Sequence, residues 1–394
     1  MTTSTRKSNQ KLNKDRDSFD AELIISDSEK DPNMLYAAGL FAPDPFIFFK
    51  TSHGSAVVMS DLEYGRALKQ ARVDTVYSLS KILEDVKGQS KGKAGKSDLA
   101  EAVAWLLKKA NVKSILVPED FPVQYADPLR KIFKVNFKKE PFFEKRAIKG
   151  DWEVECIKRS VRAAEKGFAA ALKILQDSSI GDNRTLYYKG KILRAEDLQR
   201  EINTTATSLG CAINHTIVAC GQHGVNPHNK GSGPLKAHET IIVDIFPRSC
   251  KTGYFGDFTR TVVKGKAKER VRKAYRLVKE GQDIAFEMIR DGVDGRDVHR
   301  AIFHHFEKNG FTRKEGKRGK EGFIHGTGHG LGLGLHEYPR IGEKSCVLQS
   351  GNTVTVEPGL YYRGMGGVRL EDVVVVKKKG CENLTRFPKA LEIK

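Results

Sequence analysis

Residues 321–339 read EGFIHGTGHGLGLGLHEYP, with His325, His329 and His336 set among glycines at nearly every second or third position. His325 and His329 lie four apart and would share one face of a helix. Against a helix, Gly326, Gly328, Gly330, Gly332 and Gly334 would each cost about 1 kcal/mol in a helical interior. The zinc-binding helix pattern H-E-x-x-H also needs a glutamate where this chain has Gly326. The stretch therefore predicts an extended or looping chain whose glycines let the backbone pass close to a metal, a substrate or a neighbouring strand.

Around it lie strand-like runs, TIIVDIF, FTRTVVKG, NTVTVEPGLYY and VRLEDVVVVKKKG, joined by polar or glycine-containing turns. The helical stretch KERVRKAYRLVKEGQDIAFEMIR separates the second from the third. This mixture predicts an antiparallel sheet with helices packed on one face, an α+β arrangement. Its pattern is compatible with two similar halves of one helix and two strand pairs each.

A carboxylate buried in a strand is tolerated only when paired or bound to a metal. Four stand out in strand-like surroundings: Asp244 in TIIVDIF, Asp257 in YFGDFTRT, Glu357 in NTVTVEPGLYY and Glu371 in VRLEDVVVV. Each alone fits a solvent-facing strand position. Together with a glycine-framed histidine they form a set of hard oxygen donors and one imidazole suited to Mn²⁺, Fe²⁺, Co²⁺ or Zn²⁺, and two ions sharing bridging carboxylates would balance the charge.

Towards the N-terminus the pattern changes. PFIFFK and SAVVMS read as a hairpin about His53 and Gly54, SDLAEAVAWLLKKA as a helix starting at Ser97 or Asp98, and SILVPED as a strand. That alternation predicts an α/β domain over 19–145, ending in a connector, KVNFKKEPFFEKRAIKG. A long helix follows in DWEVECIKRSVRAAEKGFAAALKILQ, with Ile157, Val161, Ala164, Phe168, Ala171 and Leu175 on one stripe, opening a second domain over 146–394. Residues 1–18 read as a disordered basic tail without the apolar segment of a secretory signal.

No apolar run is long enough to span a membrane, and six dispersed cysteines without a C-x-x-C pair suit reduced thiols, so a cytoplasmic location is expected. The net charge of +19 fits either a solvated basic surface or a patch for a polyanion such as nucleic acid. Lysines cluster in SKGKAGK, FKVNFKKE and RKEGKRGK, yet no aromatic platform or nucleic-acid motif accompanies them.

GDFTRT, HGTGHGLGLGLHEYP, EPGLYY and VRLED, in that order, resemble the signature blocks of the pita-bread metallopeptidases, in the branch of Xaa-Pro aminopeptidases and prolidases. The likeness runs over about residues 145–394, and the segment before it is similar to the N-terminal domain of aminopeptidase P, prolidase and creatinase. It implies a creatinase-like α/β N-terminal domain followed by an α+β pita-bread catalytic domain. It further implies that Asp244, Asp257, His329, Glu357 and Glu371 ligate two divalent ions, manganese first, with cobalt, iron or zinc as alternatives. A bridging water or hydroxide would then be the nucleophile.

His336 matches a substrate-contacting histidine, His325 another histidine of the site, and His228, ending GQHGVNPH, a third. Arg369 matches an arginine that supports the metal-bound carboxylates, and Glu357 can also take and pass on a proton. The implied substrate is a peptide with proline second, and the implied assembly is a homodimer. Two positions depart from the family pattern. Asp244 and Asp257 are two residues further apart than is common, so that strict spacing would put the first ligand at Phe246, and Gly334 stands where relatives often carry an acid. Two other readings remain: a creatinase-like, metal-free C–N hydrolase, and a non-catalytic pita-bread protein that binds a protein or RNA through its basic surface.

Overall fold

The structure, a computed structural model, describes residues 19–89, 98–316 and 319–394. The tail over 1–18, the run from Ser90 to Ser97 and the tip of RKEGKRGK lie outside the described residues. The chain divides into two compact units between Phe142 and Phe143, so that Phe143 to Lys145, assigned above to the first domain, go with the second.

In the first unit, β1 (Ala21–Ser26), β2 (Phe46–Thr51), β3 (Gly54–Met59), β4 (Thr75–Ser78), β5 (Ser114–Pro118) and β6 (Lys134–Lys138) form one sheet in the order β4-β3-β2-β1-β5-β6. The hairpin about His53 and Gly54 is present, with Thr51 opposite Gly54. Helix α1 (Asp98–Lys109) buries Val103 and Leu107 in this unit's core. KVNFK, expected as connector, is instead the edge strand β6, parallel to β5. Its lysines disguise it, because an edge strand keeps one side in water and tolerates charge.

The second unit is built on two main sheets, beside smaller two- and three-stranded ones. β7 (Ile217–Cys220), β8 (Ile241–Ile245) and β9 (Phe258–Lys264) run antiparallel. The other sheet is antiparallel throughout, in the order β11-β10-β12-β15-β16: β10 (Gly328–Gly330), β11 (Glu337–Ile341), β12 (Thr353–Val356), and, after the separate hairpin of β13 (Gly359–Tyr362) and β14 (Gly366–Arg369), β15 (Asp372–Lys377) and β16 (Gly380–Asn383).

Each sheet is backed by two helices, one more than expected for each half. α2 (Asp151–Asp177) and α3 (Ala195–Ser208) share a core with β7, β8 and β9, while α4 (Glu269–Met288) and α5 (Gly295–Lys308) share one with β12 and β15. Every residue of the Ile157-to-Leu175 stripe is buried on α2, and Phe168 packs against Phe258 and Phe387. Truncating so enclosed an aromatic typically costs about 3–5 kcal/mol.

The glycine-rich stretch is extended, as its composition requires. A Cβ on Gly328 would sit 1.9 Å from the Thr355 carbonyl oxygen, and one on Gly330 2.4 Å from that of Tyr338. Of the three neighbours allowed by the sequence, the one these glycines accommodate is a strand on either side of β10. No helix among the described residues is long and apolar enough to cross a membrane.

Candidate metal centre

Five short links, three of them purely backbone, draw distant residues together. Asp244 on β8 is paired with Thr259 on β9, and Thr259 bridges to Glu371 in the break between β14 and β15. The Thr259 hydroxyl donates to Glu371 Oε2 at 2.7 Å. On the other sheet, the His329 amide donates to Thr355 Oγ1 at 3.1 Å, and the Glu357 amide to the Thr327 carbonyl at 2.7 Å. One cavity of about 1080 Å³ is consequently lined by His228, Asp244, Asp257, His325, His329, His336, Glu357, Arg369 and Glu371.

Within it, Asp257, His329 and Glu371 each bring a donor atom within 4.8 Å of the others. Glu357 Oε1 lies 3.2 Å and Asp257 Oδ2 3.7 Å from His329 Nε2. Asp244 is not in the tight trio: its Oδ2 accepts from Arg369 Nη2 at 2.6 Å, at the border of the same cavity. Between Asp244 and Asp257 the chain makes a turn, closed by the Gly253 amide on the Ser249 carbonyl, that follows the Arg248–Ser249 strand. Phe246 also lines the cavity but offers no donor.

His329 Nδ1 lies 3.1 Å from the Gly330 carbonyl, which can only accept; Nδ1 therefore carries a proton. In the neutral ring Nε2 is then a lone pair aimed at carboxylates. Either a proton or a cation must occupy that gap. Burial opposes charge on His329, but its hydrogen bond to Glu357 and the charges of Glu357 and Asp257 raise its pKa. Burial likewise opposes charge on Glu357, yet the bond and charge of His329 outweigh it and hold that carboxyl at about 2. Asp257 and Glu371 go the other way: burial first, and then the neighbouring carboxylates, push both well above the ordinary range.

The same reasoning fixes His325. Its Nδ1 donates to the Gly326 carbonyl at 2.7 Å, so Nε2 accepts from the Tyr361 hydroxyl at 2.8 Å. That hydroxyl in turn accepts from Arg369 Nη1 at 2.8 Å. Both ring nitrogens of His325 are thus engaged, and a continuous chain runs from His325 through Tyr361 and Arg369 to Asp244. His336 keeps part of its surface open to the cavity, but its ring stands edge-on to His329 at 4.4 Å, and partial desolvation there, then the His329 charge, lowers it to about 4. His228 is exposed at the cavity.

The model of metallopeptidase family M24 matches residues 155–378. The chain belongs to metallopeptidase family M24. Over 382 residues it is 25% identical to the Xaa-Pro dipeptidase of Pyrococcus horikoshii, spanning 96% of this chain and 95% of that one. Of solved structures, the X-Pro aminopeptidase of Thermotoga maritima aligns with a TM-score of 0.78 at 21% identity, over 95% of this chain and 98% of that one. A dipeptidase from Pyrococcus horikoshii aligns with a TM-score of 0.76 at 27% identity, over 95% and 96%. The M24 chain is a metallo-exopeptidase of the pita-bread fold, in the prolidase and Xaa-Pro aminopeptidase branch.

M24 membership implies divalent metal, and the donor set of this chain fits it. Asp244 Oδ1 is buried with no hydrogen-bond partner. An unpartnered buried carboxylate oxygen costs several kcal/mol unless a cation meets it. Four carboxylates against one guanidinium and one imidazole leave the same deficit of positive charge.

Nothing in the local sequence marks out Tyr361 or the ion cluster that anchors the loop of His336. Glu337 is buried against Arg146 and Lys149, with Lys149 Nζ at 2.9 Å, and accepts from the Gly334 amide at 2.6 Å. Gly334, where relatives often carry an acid, lies against this glutamate. Tyr361 has only its place in EPGLYY, and a pairing across 188 residues leaves no local signal. His215 is also exposed and lines the cavity.

Proposed function

We propose that this chain hydrolyses the N-terminal Xaa-Pro bond of peptides, with Asp244, Asp257, His329, Glu357 and Glu371 holding two divalent ions, manganese foremost. The observation that carries the reading is the clustering of Asp257, His329 and Glu371 within 4.8 Å beside the orphaned oxygen of Asp244. The Xaa-Pro dipeptidase of Pyrococcus horikoshii, alike along nearly its whole length, supports the choice of substrate. Bound there, divalent ions would supply Lewis acidity and a water acidified to near-neutral pKa.

The chain's own residues do the rest. Glu357, ionised because His329 stabilises its charge, can take a proton at Oε1 and later return it to the leaving nitrogen. His336 and His228, both exposed to the cavity, can donate to the substrate carbonyl. Arg369 holds one oxygen of Asp244 and leaves the other free to meet a cation, and His325 fixes Tyr361 behind it. A proline nitrogen carries no N–H and fixes φ, so this site can select by shape where other peptidases engage that donor. Dipeptides and longer peptides are both within its chemistry, and a homodimer is the expected assembly.

The test is direct. Chelated protein is expected to lose cleavage of Ala-Pro and Ala-Pro-Xaa peptides, manganese or cobalt to restore it, and His329→Ala to abolish it together with metal uptake. Metal-loaded protein that leaves every Xaa-Pro peptide intact overturns the proposal.

A further inference from the structure

Charge within the cavity is sorted by depth. The carboxylates Asp244, Asp257 and Glu371 are buried, whereas Lys230, Lys320, Arg340 and Lys344, which line the same cavity, are all exposed and so ring its open side. Other cations of the lining are already matched, Arg369 by Asp244 and Arg313 by Glu343. Among the described residues, no carboxylate lies within ion-pairing distance of Lys230, Arg340 or Lys344, and Lys320 has only Glu315 at 4.0 Å. Glu343, the one exposed carboxylate among the described lining residues, is held by Arg313 and also feels the charge of Lys320. The rim therefore presents four further cations against that single carboxylate, above a negative floor.

We propose that this rim selects peptides carrying acidic side chains beyond the scissile bond. The inference rests on the exopeptidase reading above: with the reacting N-terminus at the buried floor, the remainder of the peptide leaves through the open side. A free α-amine is positive and suits the carboxylate floor, while Asp or Glu side chains a few residues on meet the lysines and arginine. Low-dielectric cavity walls focus such a field and raise the local concentration of a complementary ligand. Nucleic acid fits less well. A phosphate backbone crossing the cavity would face the carboxylates, and single-strand binders add aromatic stacking platforms, whereas Phe246 is the one phenylalanine, tyrosine or tryptophan among the described lining residues.

The experiment compares Ala-Pro-Glu-Glu-amide with Ala-Pro-Gln-Gln-amide on the metal-loaded enzyme, the amide removing the terminal carboxylate as a second source of negative charge. The expected result is a kcat/KM about tenfold higher for the acidic peptide at low salt. The ratio should shrink towards one as ionic strength rises from about 0.01 M to about 1 M. In Lys320→Gln/Arg340→Gln/Lys344→Gln the ratio should collapse at low salt, and in Lys166→Gln/Lys191→Gln, two exposed lysines outside the cavity lining, it should persist.

Equal rates on both peptides, or a preference that survives the triple variant, overturn the inference while leaving Xaa-Pro cleavage intact. So does an uncapped Ala-Pro-Gln-Gln that matches the capped acidic peptide, since the terminal carboxylate is then the ligand. If neither peptide is cleaved, the proposed function fails, and titrating the same two peptides against the protein still reads the rim: equal affinities overturn the inference. A single-stranded oligonucleotide that binds through the same side chains more tightly than the acidic peptide overturns it in favour of nucleic acid.

Discussion

At Gly328 one hydrogen atom decides whether two strands can pair. The position where a Cβ would stand is 1.9 Å from the carbonyl oxygen of Thr355, backbone that cannot swing aside. Gly328→Ala must push β10 away from β12 and carry His329 with it. Overpacking of this kind costs about 1–3 kcal/mol, so the variant should unfold at lower urea and bind manganese more weakly. A variant with unchanged midpoint and affinity shows that the strands have slack. His329 itself was recognisable in the sequence by its glycine frame. Which of its nitrogens is left with a free lone pair was not, because that follows from the Gly330 carbonyl 3.1 Å from Nδ1.

Among the elements, α5 shows how a helix terminus is tied to a distant loop. Its N-cap Asp294 accepts from the Arg296 amide at 2.9 Å within its own turn, and from the Ser345 hydroxyl and the Cys346 amide far along the chain. Those bonds, the Ser345 hydroxyl first, lower its pKa from 3.8 to about 2. A depressed carboxylate contributes stability that is present above its unfolded pKa and lost as pH falls through the folded one. Urea midpoints should therefore fall more steeply between about pH 4 and about pH 2 in the native protein than in Asp294→Asn. Parallel curves would mean that the bonds contribute nothing net. The local sequence does not announce α5, because its apolar positions are interrupted by His299 and His305. β6 was missed for the opposite reason, since an edge strand may be polar. The long α2, with its uninterrupted stripe, and the β2–β3 hairpin were fully legible.

For the whole molecule, the buried carboxylates make folding and metal binding one equilibrium. A ligand at one hundred times its dissociation constant stabilises the native state by about 2.7 kcal/mol, or roughly 5–10 °C in Tm for a unit of this size. Manganese should raise the Tm of chelated protein by that order, and Asp257→Asn should lose most of the response. A Tm indifferent to both chelation and metal would mean that the trio of Asp257, His329 and Glu371 holds no ion.

The sequence by itself determined the two-part architecture and the extended glycine-rich segment, and its family resemblance pointed to nine of the residues that line the cavity. Carboxylates inside β-branched runs and histidines among glycines break the local pattern, and a broken pattern can be read without coordinates. Only the tertiary structure decided which tautomers the histidines adopt, that Tyr361 joins His325 to Arg369, that Glu337 is held by Arg146 and Lys149, and that positive charge gathers at the open side of the cavity while negative charge lies at its floor. Those are relations between side chains far apart along the chain. Hydrogen-bond direction and burial belong to a pair of groups in space, and neither is a property of a residue in a string.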